Sequence, residues 1–133
     1  MRIMIDTNII ISAALFPQSA LSKNVFAMAD KYALVLSSNI LDELRRTMER
    51  KFPAKTKEAE NFMRRLRYEL AYTPRDIDPD IFPHIRDPKD YPILASAILA
   101  NVDVFISGDA DFNDVVLDFP EIMTPAEFAK EYL

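Results

Sequence analysis

Met1-Arg2-Ile3-Met4-Ile5-Asp6-Thr7-Asn8 opens the chain as a short apolar run that stops on an acid; two small polar residues come next, and then a second apolar run from Ile9 to Ile11. An unbroken apolar run of this length is the pattern of a strand covered on both faces, as in a parallel sheet flanked by helices. A carboxylate at its end then lies at the carboxyl edge of the sheet, where open α/β folds bind ligands. Asp6 has two readings on this stretch. It is an anchor for a metal ion, or it is a helix cap, because Asp, Thr and Asn all accept hydrogen bonds from the unpaired N–H groups of a first helical turn.

The composition bounds what such an acid can do. A chain of 133 residues, half of them hydrophobic, suffices for one domain spanning 1–133 and not for two ordinary ones. It contains no cysteine, which excludes disulfides, thiolate zinc sites and cysteine nucleophiles and suits a reducing compartment. Any metal must be held by oxygen or by the single histidine, His84. The amino terminus, with Asp6 inside its apolar stretch, does not read as a signal peptide, and no apolar run approaches the length of a membrane span, so a cytoplasmic location is expected. The only glycine is Gly108, which excludes glycine-rich nucleotide-binding loops.

Charge is unevenly spread. The chain carries a net −5, yet Arg45 to Arg75 holds ten basic residues against four acidic ones, a net +6, which leaves −11 on the remainder. A basic middle beside an acidic remainder can attract phosphate next to a carboxylate-rich site, and it can equally be a solvated helical surface.

Working outward from the first strand, Ile9 to Leu15 predicts a short helix before Pro17, and Ser19 to Lys31 a second with Leu21, Val25, Met28 and Ala29 on its inner side. Leu34-Val35-Leu36 predicts a strand, followed by a helix capped by Ser38 with Ile40, Leu41, Leu44 and Met48 inward and Glu43, Arg46, Thr47 and Arg50 on another face. Lys55 to Ala71 keeps a helical period, which makes a basic helical hairpin, and a short strand falls near Tyr72. Tyr72 to Arg86, rich in Pro and Asp, reads as a loop; Ile93 to Asn101 is a helix and Asp103 to Ser107 a strand. Gly108 at that strand's end implies a left-handed turn or a close approach of the backbone. A short strand at Glu121 to Met123 and a helix capped by Thr124, with Glu127 in capping-box position, complete the chain. Alternating strands and helices predict a three-layer α/β/α sandwich with a mainly parallel central sheet.

Four acids fall at comparable places in that order: Asp6, Glu43, Asp90 and Asp109. Gathered carboxylates raise one another's pKa and are unfavourable without a cation to hold. Hard oxygen donors without thiols point to Mg²⁺ or Mn²⁺, an ion usually bound by a few carboxylates together with a substrate phosphate, so phosphodiester hydrolysis is the natural chemistry. A receiver-like phosphorylatable Asp is disfavoured, because no Lys follows a late strand in a partner position.

Four motifs in order, Asp6-Thr7-Asn8, Ser38-Asn39-Ile40-Leu41-Asp42-Glu43-Leu44, Arg86-Asp87-Pro88-Lys89-Asp90 and Phe105-Ile106-Ser107-Gly108-Asp109, resemble the PIN-domain family from Arg2 to about Met123. The resemblance implies a metal-dependent ribonuclease using Mg²⁺ or Mn²⁺ on RNA. Small members of this kind are often the toxin half of a toxin–antitoxin pair, with a cognate antitoxin and a homodimeric state. By position Asp6, Glu43, Asp90 and Asp109 match the acidic quartet, Asn8 a residue that supports the first Asp, and Ser107 a hydroxyl position more often filled by Thr. Tyr91 stands where many relatives carry a further acid, which leaves Asp87 as an alternative to Asp90 for the third ligand. Asp111 contributes from beyond Ala110 or caps the next stretch of chain. Arg46 and Arg50 either pair with Glu43 and Glu49 on the helix surface or hold RNA phosphate. A catalytically silent module that binds RNA or a partner is the competing reading. His84 is expected in a loop, and the six methionines and Phe105 and Phe112 in the core.

Overall fold

Ile3, Met4 and Ile5 have no exposed surface, Leu34 to Leu36 have at most 2%, and Val104 to Ile106 are likewise buried. Strands apolar on both faces can only sit in the middle of a sheet with helices on either side. In the computed structural model, which describes residues 1–75, 91–112, 115 and 117–133, they form the centre of a five-stranded parallel sheet. Its strands are β1 (Arg2–Ile5), β2 (Ala33–Ser37), β3 (Glu69–Ala71), β4 (Val104–Ile106) and β5 (Glu121–Met123), in the order β3-β2-β1-β4-β5. The helices are α1 (Thr7–Leu15), α2 (Ala20–Lys31), α3 (Ser38–Lys51), α4 (Thr56–Arg65), α5 (Tyr91–Leu99) and α6 (Pro125–Tyr132). The predicted α/β/α sandwich is therefore the fold.

Strand order determines where a ligand can go. The chain steps outward from β1 to β2 and β3, then crosses back over β1 to β4 and β5. Right-handed crossovers put the helices of the first two steps on one face and α5 on the other. The connections after β1 and β4 thus diverge, opening a crevice at the carboxyl ends of those two strands.

Local chemistry fixes the ends of these elements. Ser19 caps α2 by accepting from the Ser22 N–H, and Thr124 caps α6 by accepting from the Glu127 N–H at 3.1 Å. The cap of α3 is Ser37 rather than Ser38: its hydroxyl accepts from the Ile40 N–H at 3.2 Å. The Ser38 hydroxyl instead accepts from the Thr73 N–H at 2.9 Å, a tertiary bond that a local reading of two adjacent serines does not reveal.

The basic hairpin is shorter than its periodicity predicted. The helix ends at Arg65, and Glu69–Ala71, expected as helix, is the edge strand β3 paired with Val35–Ser37. Leu66 already has extended backbone, at φ −81 and ψ 126. The Arg2 guanidinium grips both oxygens of Glu69, at 2.8 and 3.2 Å, and fastens β3 to the start of β1. Pairing across the sheet overrides a helical spacing that continued by coincidence through Leu66 and Leu70.

Gly108 fulfils neither expectation: it has no left-handed backbone, and a Cβ at that position would meet nothing within 4 Å. Among the described residues the left-handed one is Asn101, at φ 54, which follows α5. There the Val102 N–H bonds the Ala97 carbonyl and the Asn101 N–H the Ile98 carbonyl, the Schellman pattern in which Asn substitutes for Gly. Among the described residues no helix is long and apolar enough to cross a membrane.

Among the described residues, one buried side-chain group has no structural compensation. Ser22, with 0% exposure on α2, has a hydroxyl without a hydrogen-bond partner. Ser22→Ala should therefore leave stability unchanged or raise it by about 1 kcal/mol, because it removes an unsatisfied polar atom and improves helix propensity. Urea denaturation measures this, and a loss of more than about 1 kcal/mol would show that the hydroxyl is satisfied in solution.

Candidate active site

The parallel register brings the first acid to its partners. Ile5 lies opposite Ile106, so the next residues, Asp6 and Ser107, leave β1 and β4 side by side. The Asp6 N–H donates to the Ile106 carbonyl at 2.9 Å and the Ser107 N–H to the Met123 carbonyl at 2.9 Å, which holds both residues in the row just beyond the sheet. Asp6 turns there into α1 as its cap, which is the capping reading of the sequence.

Asp6 is 7% exposed. One of its oxygens accepts from the Thr7 N–H at 2.8 Å and the other from the Ser107 hydroxyl at 2.8 Å. The Ser107 oxygen in turn accepts from the Asp109 N–H at 3.0 Å. Asp109 accepts from the Asp111 N–H at 2.9 Å, which tightens the short 3₁₀ turn Ala110–Phe112. Phe112 anchors that turn by packing edge-on against Phe105 of β4, with ring centroids 5.1 Å apart.

The second acid arrives on α3, which begins directly at the end of β2. Glu43 is half-buried, and its carboxylate accepts from the Thr7 hydroxyl at 3.0 Å. Two residues therefore bridge the three acids: the Ser107 hydroxyl joins the Asp6 carboxylate to the Asp109 N–H, and Thr7 joins Asp6, through its N–H, to Glu43, through its hydroxyl. The start of α3 is itself fixed by Thr73, whose hydroxyl oxygen accepts from the Asn39 N–H at 3.0 Å and lies 3.0 Å from the Ser96 hydroxyl of α5.

The remaining expected residues fall around this cluster or outside it. Asn8 is exposed on the first turn of α1, and the described hydrogen bonds to the Asp6 carboxylate come from Thr7 and Ser107. Arg46 and Arg50 are exposed, and neither forms an ion pair among the described residues, where the α3 surface pair is Arg45 with Asp42 at 3.8 Å. Arg50 also lies in the last turn of α3, where positive charge complements the helix dipole. Asp87, Asp90 and His84 lie outside the described residues. Sequence reasoning misses the roles of Thr7 and Thr73: Thr7 stands beside Asp6 but reads there only as a cap, and nothing local marks Thr73.

Electrostatically the site is under tension. Burial is the main reason that the Asp6 carboxyl is pushed above its ordinary value; the hydrogen bonds from Ser107 and Thr7 oppose the shift, and the charges of Glu43 and Asp109 add to it. Among the described residues no three acids or histidines stand close enough to hold a metal ion between them. The donors nevertheless suit Mg²⁺ or Mn²⁺ in kind, being carboxylate oxygens only, and Mg²⁺ commonly takes just one or two carboxylates and fills its octahedron with water and phosphate.

The raised value has a definite consequence for stability. The folded chain holds the Asp6 proton more tightly than the unfolded chain, so this contribution is full below the ordinary carboxylate range and is lost as pH rises through the folded value. Without divalent cations, Asp6→Asn, which retains a capping oxygen, should melt higher than wild type at pH 7, and the gap should narrow as pH falls towards 4. Thermal melts in chelator across that range measure it; an Asn variant less stable at pH 7 than at pH 4, relative to wild type, would contradict the assigned tension.

Comparison with known proteins agrees with this fold. No curated protein matches the chain. A solved structure of similar fold, VapBC2 from Rickettsia felis bound to a DNA fragment from their promoter, contains a chain that superposes with a TM-score of 0.67 at 18% identity, covering 92% of this chain and 97% of its own. The family model of the PIN domain matches residues 2–111, from the first residue of β1 through the turn that carries Asp109 and Asp111. Members of that family are generally nucleases, and with most of its length matched the chain belongs to the PIN-domain family.

Proposed function

We propose that the chain is a Mg²⁺- or Mn²⁺-dependent endoribonuclease that hydrolyses RNA phosphodiester bonds, acting as the toxin of a cytoplasmic toxin–antitoxin pair. The observation that carries this reading is the set Asp6, Glu43 and Asp109, bridged by Thr7 and Ser107 at the sheet's switch point, with the exposed basic face of α3 leading away from it. The antitoxin partner is supported by the fold likeness to VapBC2; a homodimer is the assembly that the family resemblance implies.

In this reading Asp6, Asp109 and Glu43, joined by Asp90 or Asp87, hold the cation. A divalent cation held there supplies an activated water and neutralises charge developing on the phosphate. The protein's own part is electrostatic and geometric. Thr7 and Ser107 aim the carboxylates, and burial of Asp6 strengthens its attraction for a cation by excluding water. Arg46 and Arg50, on the same face of α3 as Glu43, attract the RNA backbone towards the carboxylates. No side chain serves as a nucleophile.

A second reading is favoured by one observation, the lack of a closed ligand group among the described residues: a PIN-like module that binds RNA or a partner without cutting it. A single assay separates the two. Purified wild type should cleave RNA with Mg²⁺ or Mn²⁺ and not with chelator, and Asp6→Asn should lose more than about 100-fold, the upper end of what loss of an outer-shell partner costs. Arg46→Ala combined with Arg50→Ala should weaken RNA binding and flatten its salt dependence while sparing metal binding. RNA bound but left intact with either metal establishes the silent module, and equal cleavage by wild type and Asp6→Asn would place the chemistry elsewhere.

A further inference from the structure

Among the described residues, Thr7 is the one that hydrogen-bonds both the first strand's acid, through its backbone, and the acid delivered by α3, through its side chain. It is 1% exposed; its N–H donates to Asp6 at 2.8 Å and its hydroxyl to Glu43 at 3.0 Å. The two bonds leave in different directions from one residue at the first position of α1, so the helix that fixes Thr7 also fixes the separation of the two carboxylates. Glu43 has the greater need of this. Its carboxylate stands at the end of a flexible side chain on α3, and among the described residues the Thr7 hydroxyl is its hydrogen-bond donor. Asp6, with a shorter side chain, is already held by Thr7 N–H and Ser107. A hydroxyl that donates to a carboxylate occupies one oxygen and directs the other, which is how outer-shell partners orient metal ligands.

We infer that Thr7 is a positioning residue, whose hydroxyl holds the Glu43 carboxylate towards Asp6 so that both can face one divalent cation. This rests on the metal-site reading above, and it adds that reading's dependence on a residue which is neither an acid nor a ligand. The side chain acts through Glu43 alone: the bond to Asp6 comes from the backbone and survives any substitution at position 7 that preserves the helix.

The test uses Mn²⁺ itself as the probe, measured by calorimetry on the full chain without RNA. Thr7→Val keeps the β-branched shape and removes the hydroxyl, whereas Thr7→Ser keeps the hydroxyl. Thr7→Val should weaken Mn²⁺ binding about 10-fold, within the range found for outer-shell partners, and Thr7→Ser should stay within about 3-fold of wild type. In a Glu43→Gln background the same Thr7→Val change should cost nothing further, because the group through which Thr7 acts is already altered. Cleavage should fall in kcat with KM for RNA unchanged. Wild-type Mn²⁺ affinity in Thr7→Val would overturn the proposal while leaving the metal site standing. An equal loss with and without Glu43→Gln would also overturn it, by showing a merely structural role. Failure of wild type itself to bind Mn²⁺ would overturn the metal-site reading and this inference together.

Discussion

A carboxylate closed off from water at the end of a central strand is the constraint to which the rest of the site answers. Asp6 lies beyond β1 with only 7% of its surface exposed, next to β4 and under the start of α1. Burying a charge is unfavourable unless it is bonded and balanced. Two donors, the Thr7 N–H and the Ser107 hydroxyl, supply the bonding, yet Glu43 and Asp109 bring further negative charge. Stability alone would disperse these acids over the surface. The fold concentrates them at the crevice made by the reversal of strand order, and that cost in stability is characteristic of a site organised for binding.

The hydrogen bonds explain why the cluster has a defined shape. Ser107 and Thr7 are small, buried and placed by backbone geometry: Ser107 by the β1–β4 register, Thr7 by the first turn of α1. Each couples a neighbouring acid to Asp6, so the loop after β4 and the helix after β2 are coordinated through β1. Thr73 extends the same logic, tying the chain that leaves β3 to the start of α3 and to Ser96 in the body of α5.

Much of this is legible from residues whose local signal and tertiary role coincide. The apolar run ending at Asp6 predicts both a buried strand and its acidic edge, and Ser107 and Asp109 come from the same pattern at β4, the strand beside β1 in the sheet. Misreadings arise where tertiary pairing prevails over local pattern. Leu66 and Leu70 keep a helical spacing into a segment that the sheet and the Arg2–Glu69 pair hold as β3. Ser38 resembles a cap but serves Thr73, and Gly108 stands out as the lone glycine while Asn101 carries the left-handed turn. Thr7 is in plain view beside Asp6, but its bond to Glu43 joins residues 36 apart in sequence and no local pattern encodes it.

The central claim is that the carboxylates of Asp6, Glu43 and Asp109 share one divalent cation. Anomalous diffraction from crystals soaked in Mn²⁺ addresses it directly. The account predicts a single strong peak within coordination distance of Asp6 and at least one of the other two, absent from Asp6→Asn crystals grown alike. Mn²⁺ bound elsewhere on the chain, with no density beside an ordered Asp6, would contradict it.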